Sequence, residues 1–223
     1  MFRIKICGIT RVVDSRLAAL AGADAIGLNF FHGSPRCVDL ATADKIVAEL
    51  PAGRAKVGIF VNAPADEIVQ ISDRLGLDWV QLHGDEPPQL LTALGSRKVM
   101  KAFRFGEQAM GPVADYLESC RSLGKLPDAI LIDACQPGEY GGTGTVVDWE
   151  AVSRGRAALR DAPPLVLAGG LTPFNVSDAI LAVRPAAVDT ASGVESKPGA
   201  KDPLLVRAFV SAARKSFAVV YGL

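Results

Sequence analysis

The chain has 223 residues, enough for one large α/β domain with a substantial core. Hydrophobic residues make up 49% and charged residues 22%, a globular rather than disordered composition. The 24 basic and 24 acidic side chains cancel, which excludes the footprint of a nucleic-acid or anionic-membrane binder and confines any basic site to a local cluster.

Strand-like runs at Phe2–Cys7, Ala25–Phe30, Ala55–Val61, Trp79–Leu82, Val99–Phe103, Ala129–Asp133, Leu165–Ala168 and Ala187–Thr190 recur along the whole chain. Helical patterns lie between them: Val13–Ala21, Ala41–Leu50 before Pro51, Ala65–Leu75 before Gly76, and Pro87–Leu94 before Gly95. The later ones are Pro112–Cys120 before Gly124, Trp149–Arg156, Pro173–Val183 with proline in its first turn, and Pro203–Phe217. Eight β-then-α units imply parallel strands joined by right-handed crossovers. The expected class is α/β, a single-domain (β/α)₈ TIM barrel over residues 1–223, at the small end of that fold's range. An open doubly wound sheet would carry a glycine-rich fingerprint after its first strand, where Gly8 is followed instead by Ile-Thr-Arg.

No apolar run approaches bilayer length, and strand-like residues begin at Phe2, so no signal peptide, no membrane partner and a cytoplasmic location are expected. Cys7, Cys37, Cys120 and Cys135 show no C-x-x-C spacing and no cluster with His32 or His83, which argues against a zinc site or a disulfide framework. A monomer is the default expectation, with a homodimer as the alternative.

Alternation within the strands gives a finer expectation. In the first, Phe2, Ile4 and Ile6 share the face toward the helices, while Arg3, Lys5 and Cys7 point into the barrel. In the sixth, Ile130 and Ile132 face the helices, while Ala129, Leu131 and Asp133 point inward. Gln81 and His83 share a face opposite Val80 and Leu82. Cys7, His83 and Asp133 thus all project inward at strand C-terminal ends, where barrel enzymes assemble their active sites.

Each of these residues has a plain reading beside the functional one. Cys7 is a buried small hydrophobe or a reactive thiol, and Lys5, two residues earlier, either lowers that thiol or pairs with an interior carboxylate. Asp133, ending Ala-Ile-Leu-Ile-Asp, suits a general acid or satisfies loop amides. Gly169-Gly170 after the seventh strand and Ser192-Gly193 after the eighth are tight turns or an anion site; finding both, where barrels commonly grip phosphate, favours phosphate. Arg36, on a loop stiffened by Pro35, clamps a substrate carboxylate or is solvated. His83 bonds substrate or caps its loop. The glycines of Tyr140–Gly144 suit a lid or a rigid turn.

Lys5-Ile-Cys-Gly-Ile-Thr, Gly58-Ile-Phe-Val-Asn, Val80-Gln-Leu-His-Gly-Asp-Glu and Tyr140-Gly-Gly-Thr-Gly resemble the phosphoribosylanthranilate isomerase family of tryptophan biosynthesis. So do Leu167-Ala-Gly-Gly-Leu-Thr-Pro-Phe-Asn-Val and Ser192-Gly-Val-Glu with Pro198-Gly-Ala-Lys-Asp, and the blocks keep the family's order from residue 5 to residue 202. The resemblance implies an Amadori rearrangement of N-(5-phosphoribosyl)anthranilate, an aminoaldose phosphate, with no cofactor and no metal. It makes Cys7 the general base, Asp133 the general acid, Arg36 the contact to the anthranilate carboxylate, and the loops of Gly169-Gly170 and Ser192-Gly193 the phosphate grip. Val188-Asp-Thr-Ala-Ser-Gly-Val-Glu departs from the usual Val-Asp-Val-Ser-Ser-Gly-Val-Glu, so Ala191 brings no hydroxyl and leaves backbone donors. Val147-Asp-Trp stands for the usual Phe-Asp-Trp, a packing change. The rival readings are a histidine-pathway isomerase, which is expected to use two carboxylates, indole-glycerol-phosphate synthase, which expects a lysine and a glutamate, and a catalytically silent sugar-phosphate binder.

Overall fold

Parallel strands need a crossover between neighbours, and here every crossover carries a helix. The computed structural model describes residues 1–105, 110–134, 148–159 and 161–222. Eight strands close a parallel barrel in sequence order: β1 (Ile4–Ile6), β2 (Ala25–Asn29), β3 (Ala55–Phe60), β4 (Trp79–Leu82), β5 (Val99–Phe105), β6 (Ala129–Ala134), β7 (Leu165–Leu167) and β8 (Ala187–Thr190). The helices outside it are α1 (Val12–Ala21), α2 (Leu40–Ala48), α3 (Ala65–Leu75), α4 (Gln89–Ala93), α5 (Gly111–Ser122), α6 (Trp149–Ala157), α7 (Val176–Val183) and α8 (Pro203–Tyr221). After β8 a 3₁₀ turn (Ser192–Val194) leads into a small hairpin of β9 (Glu195–Lys197) and β10 (Ala200–Lys201). No helix among the described residues is long and apolar enough to cross a membrane. The Tyr140–Gly144 segment lies outside the described residues.

Strand alternation separates two apolar layers. Ile4, Ile6, Val80, Leu82, Ile130 and Ile132 pack between strands and helices, while Val57, Trp79, Met100, Leu131 and Val166 fill the barrel. The expected phase of β4 and β6 is the observed one. The phase expected at the chain start is not. Phe2 belongs to the inner layer and meets Trp79 edge-on, with ring centroids 5.8 Å apart. Arg3 points outward, its guanidinium 4.5 Å from the Tyr221 ring centroid and donating to Ala186 O at 3.1 Å. The cause is local: β1 begins only at Ile4, and a bend at Arg3 breaks the period of two.

Two helix starts differ by two residues or more. α4 begins at Gln89 rather than Pro87. α7 begins at Val176 rather than Pro173, because Thr172 to Asn175 form a turn in which Thr172 N–H donates to Asn175 Oδ1 at 2.7 Å.

The lower rim of the barrel carries a repeated clamp. The residue before β2 is Asp24, and its Oδ2 accepts from the backbone N–H of Arg3 (3.1 Å) and Ile4 (3.0 Å) at the start of β1. Asp78, before β4, accepts from Lys56 N–H of β3 at 2.8 Å, and Asp128, before β6, accepts from Val99 N–H of β5 at 2.8 Å. Each carboxylate ties an odd strand to the next even one and satisfies donors that no neighbouring strand reaches. Before β8 the matching residue is Ala186, and there the outward Arg3 binds the carbonyl instead. Asp24→Ala, which strands two partly buried donors, should cost about 1–3 kcal/mol in urea unfolding. Asp78→Ala, which frees one exposed donor, should cost less than about 1 kcal/mol.

Candidate active site

The C-terminal ends of the strands open into one cavity lined by Cys7, Arg36, His83, Asp133, Gly169, Gly170, Ser192 and Gly193. All eight candidate residues therefore meet at one place. Gln81, Asn29, Phe31, Asp189 and Thr190 also line it.

Cys7 follows the last residue of β1, and its N–H donates to Thr190 O of β8 at 2.8 Å. Its thiol lies over Gly27 of β2, where a Cβ would stand 2.7 Å from Sγ. The glycine is thus what gives the sulfur room. Beneath it, Lys5 is fully buried and binds Asp189 at 2.8 Å between Nζ and Oδ2. The two residues are direct partners across the β1–β8 register, on the same inward face.

Burial pushes the Cys7 thiol above its ordinary value; the Lys5 ammonium pulls it down, Asp189 pushes it up, and Lys201 pulls it down again. Burial wins. Lys5 itself loses by burial but is held above its ordinary value by Asp189 and then by Cys7, so it stays an ammonium. Both readings of Lys5 therefore hold at once. It pairs with an interior carboxylate and it opposes, without overcoming, the desolvation of the thiol.

Asp133 stands near the end of β6, three strand positions from β1 around the ring, so acid and thiol approach the cavity from well-separated sides. His83 Nε2 lies 3.2 Å from Asp133 Oδ2, and Gln81 Nε2 lies 2.8 Å from His83 Nδ1. The His83 N–H of the backbone donates to Phe60 O at 2.8 Å. Behind the loop, Glu86 accepts from Gly84 N–H at 3.0 Å and takes Lys101 Nζ at 2.8 Å in a buried pair.

Arg36 is no solvated arginine. Its side chain is 12% exposed and grips Glu195 side-on, through Nε to Oε1 at 2.9 Å and Nη2 to Oε2 at 2.8 Å. Lys201 Nζ takes the same Glu195 at 2.7 Å and donates to Ala191 O at 3.0 Å. Burial would raise the Glu195 carboxyl, but Arg36 and Lys201 hold it below the usual range. Arg36 Nη1 has no partner among the described residues, on a side chain that lines the cavity.

The two glycine loops are stitched together. Thr190 Oγ1 donates to Leu171 O at 2.7 Å, and a Cβ on Gly193 would stand 2.0 Å from that same oxygen. Gly169 and Gly170 both sit in the left-handed region, with φ of 82° and 63°. Among the described residues, nothing accepts from the backbone N–H of either. Free N–H groups converging on a cavity wall make an anion cradle.

Sequence reasoning missed Asp189, Glu195 and Lys201, and it named Gln81 only as inward-facing. Asp189 was findable, since counting by two from Ala187 turns it inward beside Lys5. Glu195 and Lys201 sit in a hairpin of three and two residues, too short for a period, and meet Arg36 from far along the chain.

A closed parallel barrel whose C-terminal mouth gathers a thiol, a carboxylic acid, a half-engaged arginine and two glycine-backed loops defines a (β/α)₈-barrel enzyme. A family model described as N-(5'phosphoribosyl)anthranilate (PRA) isomerase matches residues 4–212. The N-(5'-phosphoribosyl)anthranilate isomerase of Rubrobacter xylanophilus is 43% identical over 217 residues, covering 96% of this chain and all of the relative. The crystal structure of phosphoribosyl anthranilate isomerase from Thermotoga maritima superposes with a TM-score of 0.84 at 37% identity, over 96% of this chain and 100% of that one. A phosphoribosyl anthranilate isomerase in complex with reduced 1-(o-carboxyphenylamino)-1-deoxyribulose 5-phosphate superposes with a TM-score of 0.81 at 36% identity, over the same shares. The chain belongs to the N-(5'-phosphoribosyl)anthranilate isomerase family.

The charge balance at Cys7 is testable by alkylation. Lys5→Met removes the ammonium that pulls the thiol down, so the pH at which Cys7 becomes reactive should move up, read by mass spectrometry of the Cys7 peptide. The same change leaves Asp189 short of its counter-charge and should cost up to about 3–5 kcal/mol of stability. An unmoved or lowered inflection would refute the balance described.

Proposed function

We propose that the chain catalyses the Amadori rearrangement of N-(5-phosphoribosyl)anthranilate to the 1-deoxyribulose 5-phosphate, in the cytoplasm and as a step of tryptophan biosynthesis. The observation that carries the reading is the presence of Cys7 and Asp133 on separate sides of one cavity, between Arg36 and the glycine loops. Asp133 protonates the furanose ring oxygen as the ring C–O bond breaks, leaving an open-chain Schiff base. Cys7, as thiolate, then removes the C2′ proton, and the electron pair flows to the imine nitrogen to give an enolamine. The enolamine tautomerises to the ketone, and the thiol passes its proton on. No covalent bond to the enzyme forms.

The phosphate sits at the N–H groups of Gly169, Gly170, Ser192 and Gly193, which hold the sugar end and leave the reacting carbons between acid and base. Arg36 gives one edge of its guanidinium to Glu195, and the end formed by Nη1 and Nη2 takes the anthranilate carboxylate. A monomer is the working unit of this reading, with a homodimer as the alternative. A histidine-pathway isomerase would want a second carboxylate where Cys7 stands.

Loss of anthranilate-type fluorescence measures turnover directly. Cys7→Ala and Asp133→Asn should each lower kcat by roughly 10²–10⁴, the usual share of one positioned acid or base. Near-normal kcat in both would remove the role assignment, and absent turnover with phosphate-ligand binding intact would favour a silent binder. Glu195→Gln should leave Arg36 loosely held and raise KM about 10-fold, the equivalent of weakening one charge-assisted hydrogen bond, with a smaller change in kcat.

A further inference from the structure

We propose that Gln81 is a positioning residue that fixes the tautomer of His83, so that the ring presents Nε2–H to Asp133 Oδ2 and leaves Oδ1 to carry the transferable proton. The inference rests on the isomerase reading, in which Asp133 is the acid.

Gln81 and His83 stand two apart at the end of β4 and so share a face. Gln81 is 1% exposed, and its amide nitrogen lies 2.8 Å from His83 Nδ1. The backbone bond to Phe60 O and the buried Lys101–Glu86 pair fix the loop from behind. The ring's far side reaches Asp133, with Nε2 and Oδ2 3.2 Å apart, close but off the line of a hydrogen bond. Nε2 is nonetheless buried, and a buried polar atom with no aligned partner among the described residues calls for an explanation in chemistry. Catalytic hydrogen bonds of this kind tighten when ligand binds.

A neutral imidazole has one donor and one acceptor, so Gln81 decides which nitrogen faces the acid. With the amide N–H donating to Nδ1, Nε2 carries the hydrogen and attracts Oδ2 whether Asp133 is protonated or ionised. With Nδ1–H donating to the amide carbonyl instead, the Nε2 lone pair would face Oδ2. That arrangement is tolerable only while the proton sits on that very oxygen, where the histidine holds back what the acid must give away. An acid that cycles between two states fits the first arrangement alone.

The chain has two histidines, so ¹⁵N-histidine labelling gives two rings, and His32→Gln assigns them. At neutral pH His83 should show a protonated Nε2 and a lone-pair Nδ1. A protonated Nδ1, alone or with Nε2, would overturn the proposal, and this measurement on the wild type needs no variant to fold. Gln81→Glu offers Nδ1 only acceptors and should draw a proton onto it. Its kcat should then fall about 10- to 100-fold with KM held within about threefold, part of the roughly 10²–10⁴ of a positioned acid. An unchanged kcat in folded Gln81→Glu would sink the positioning role. The spectrum reads the tautomer whether or not the wild type turns substrate over, so failure here and failure of the isomerase reading look different.

Discussion

The buried Lys5–Asp189 pair is the contact on which both the barrel and its mouth depend. It joins β1 to β8, residues 184 apart in sequence, at the seam where the ring closes. Two ions in an apolar interior cost several kcal/mol each in desolvation, and a hydrophobic pair of equal volume would close the seam as well. What hydrophobes would not do is set the charge under Cys7. The ammonium pulls the thiol down and the carboxylate pushes it up, so the pair moderates a sulfur that burial alone would hold fully protonated.

That pair does not act alone. Arg36, Glu195 and Lys201 form a second connected set above it, and together the five groups count three cations against two carboxylates. A chain with no net charge thus gathers three cations around one cavity wall, with Asp133 on the opposite side. Cations placed there suit a substrate with a phosphate at one end and a carboxylate at the other, and they oppose the desolvation of the thiol. Composition could say only that a basic site had to be local, since the cluster forms by bringing residue 36 to residue 195.

Much of this architecture was legible because strands impose a strict period. Counting by two along Ala129–Asp133 and from Gln81 to His83 placed acid and histidine in the barrel mouth, and the observed layers agree. The same counting failed at Phe2 and Arg3, where no strand exists to enforce it. A proline taken as marking a helix's first turn misled at Pro173, where an asparagine side chain holds a turn open ahead of the helix. Arg36 was legible as a site residue, but not its grip on Glu195: a side-on ion pair across 159 residues leaves no trace in local pattern.

The two ends of the barrel treat their polar groups differently, and the difference locates the chemistry. At the lower rim, Asp24, Asp78 and Asp128 exist to satisfy strand N–H groups, and the polar groups they meet are paired. At the upper rim, Asp189 Oδ1, Gln81 Oε1 and His83 Nε2 are buried with no hydrogen-bond partner among the described residues, and all three residues line one cavity. A cavity wall that presents polar atoms of this kind can offer them to a ligand that brings the matching partners. The clamps at the bottom hold the strands in register independently of the mouth. That division is what lets the top of the same strands keep a raised thiol, an unaligned histidine and free glycine N–H groups poised for an incoming ligand.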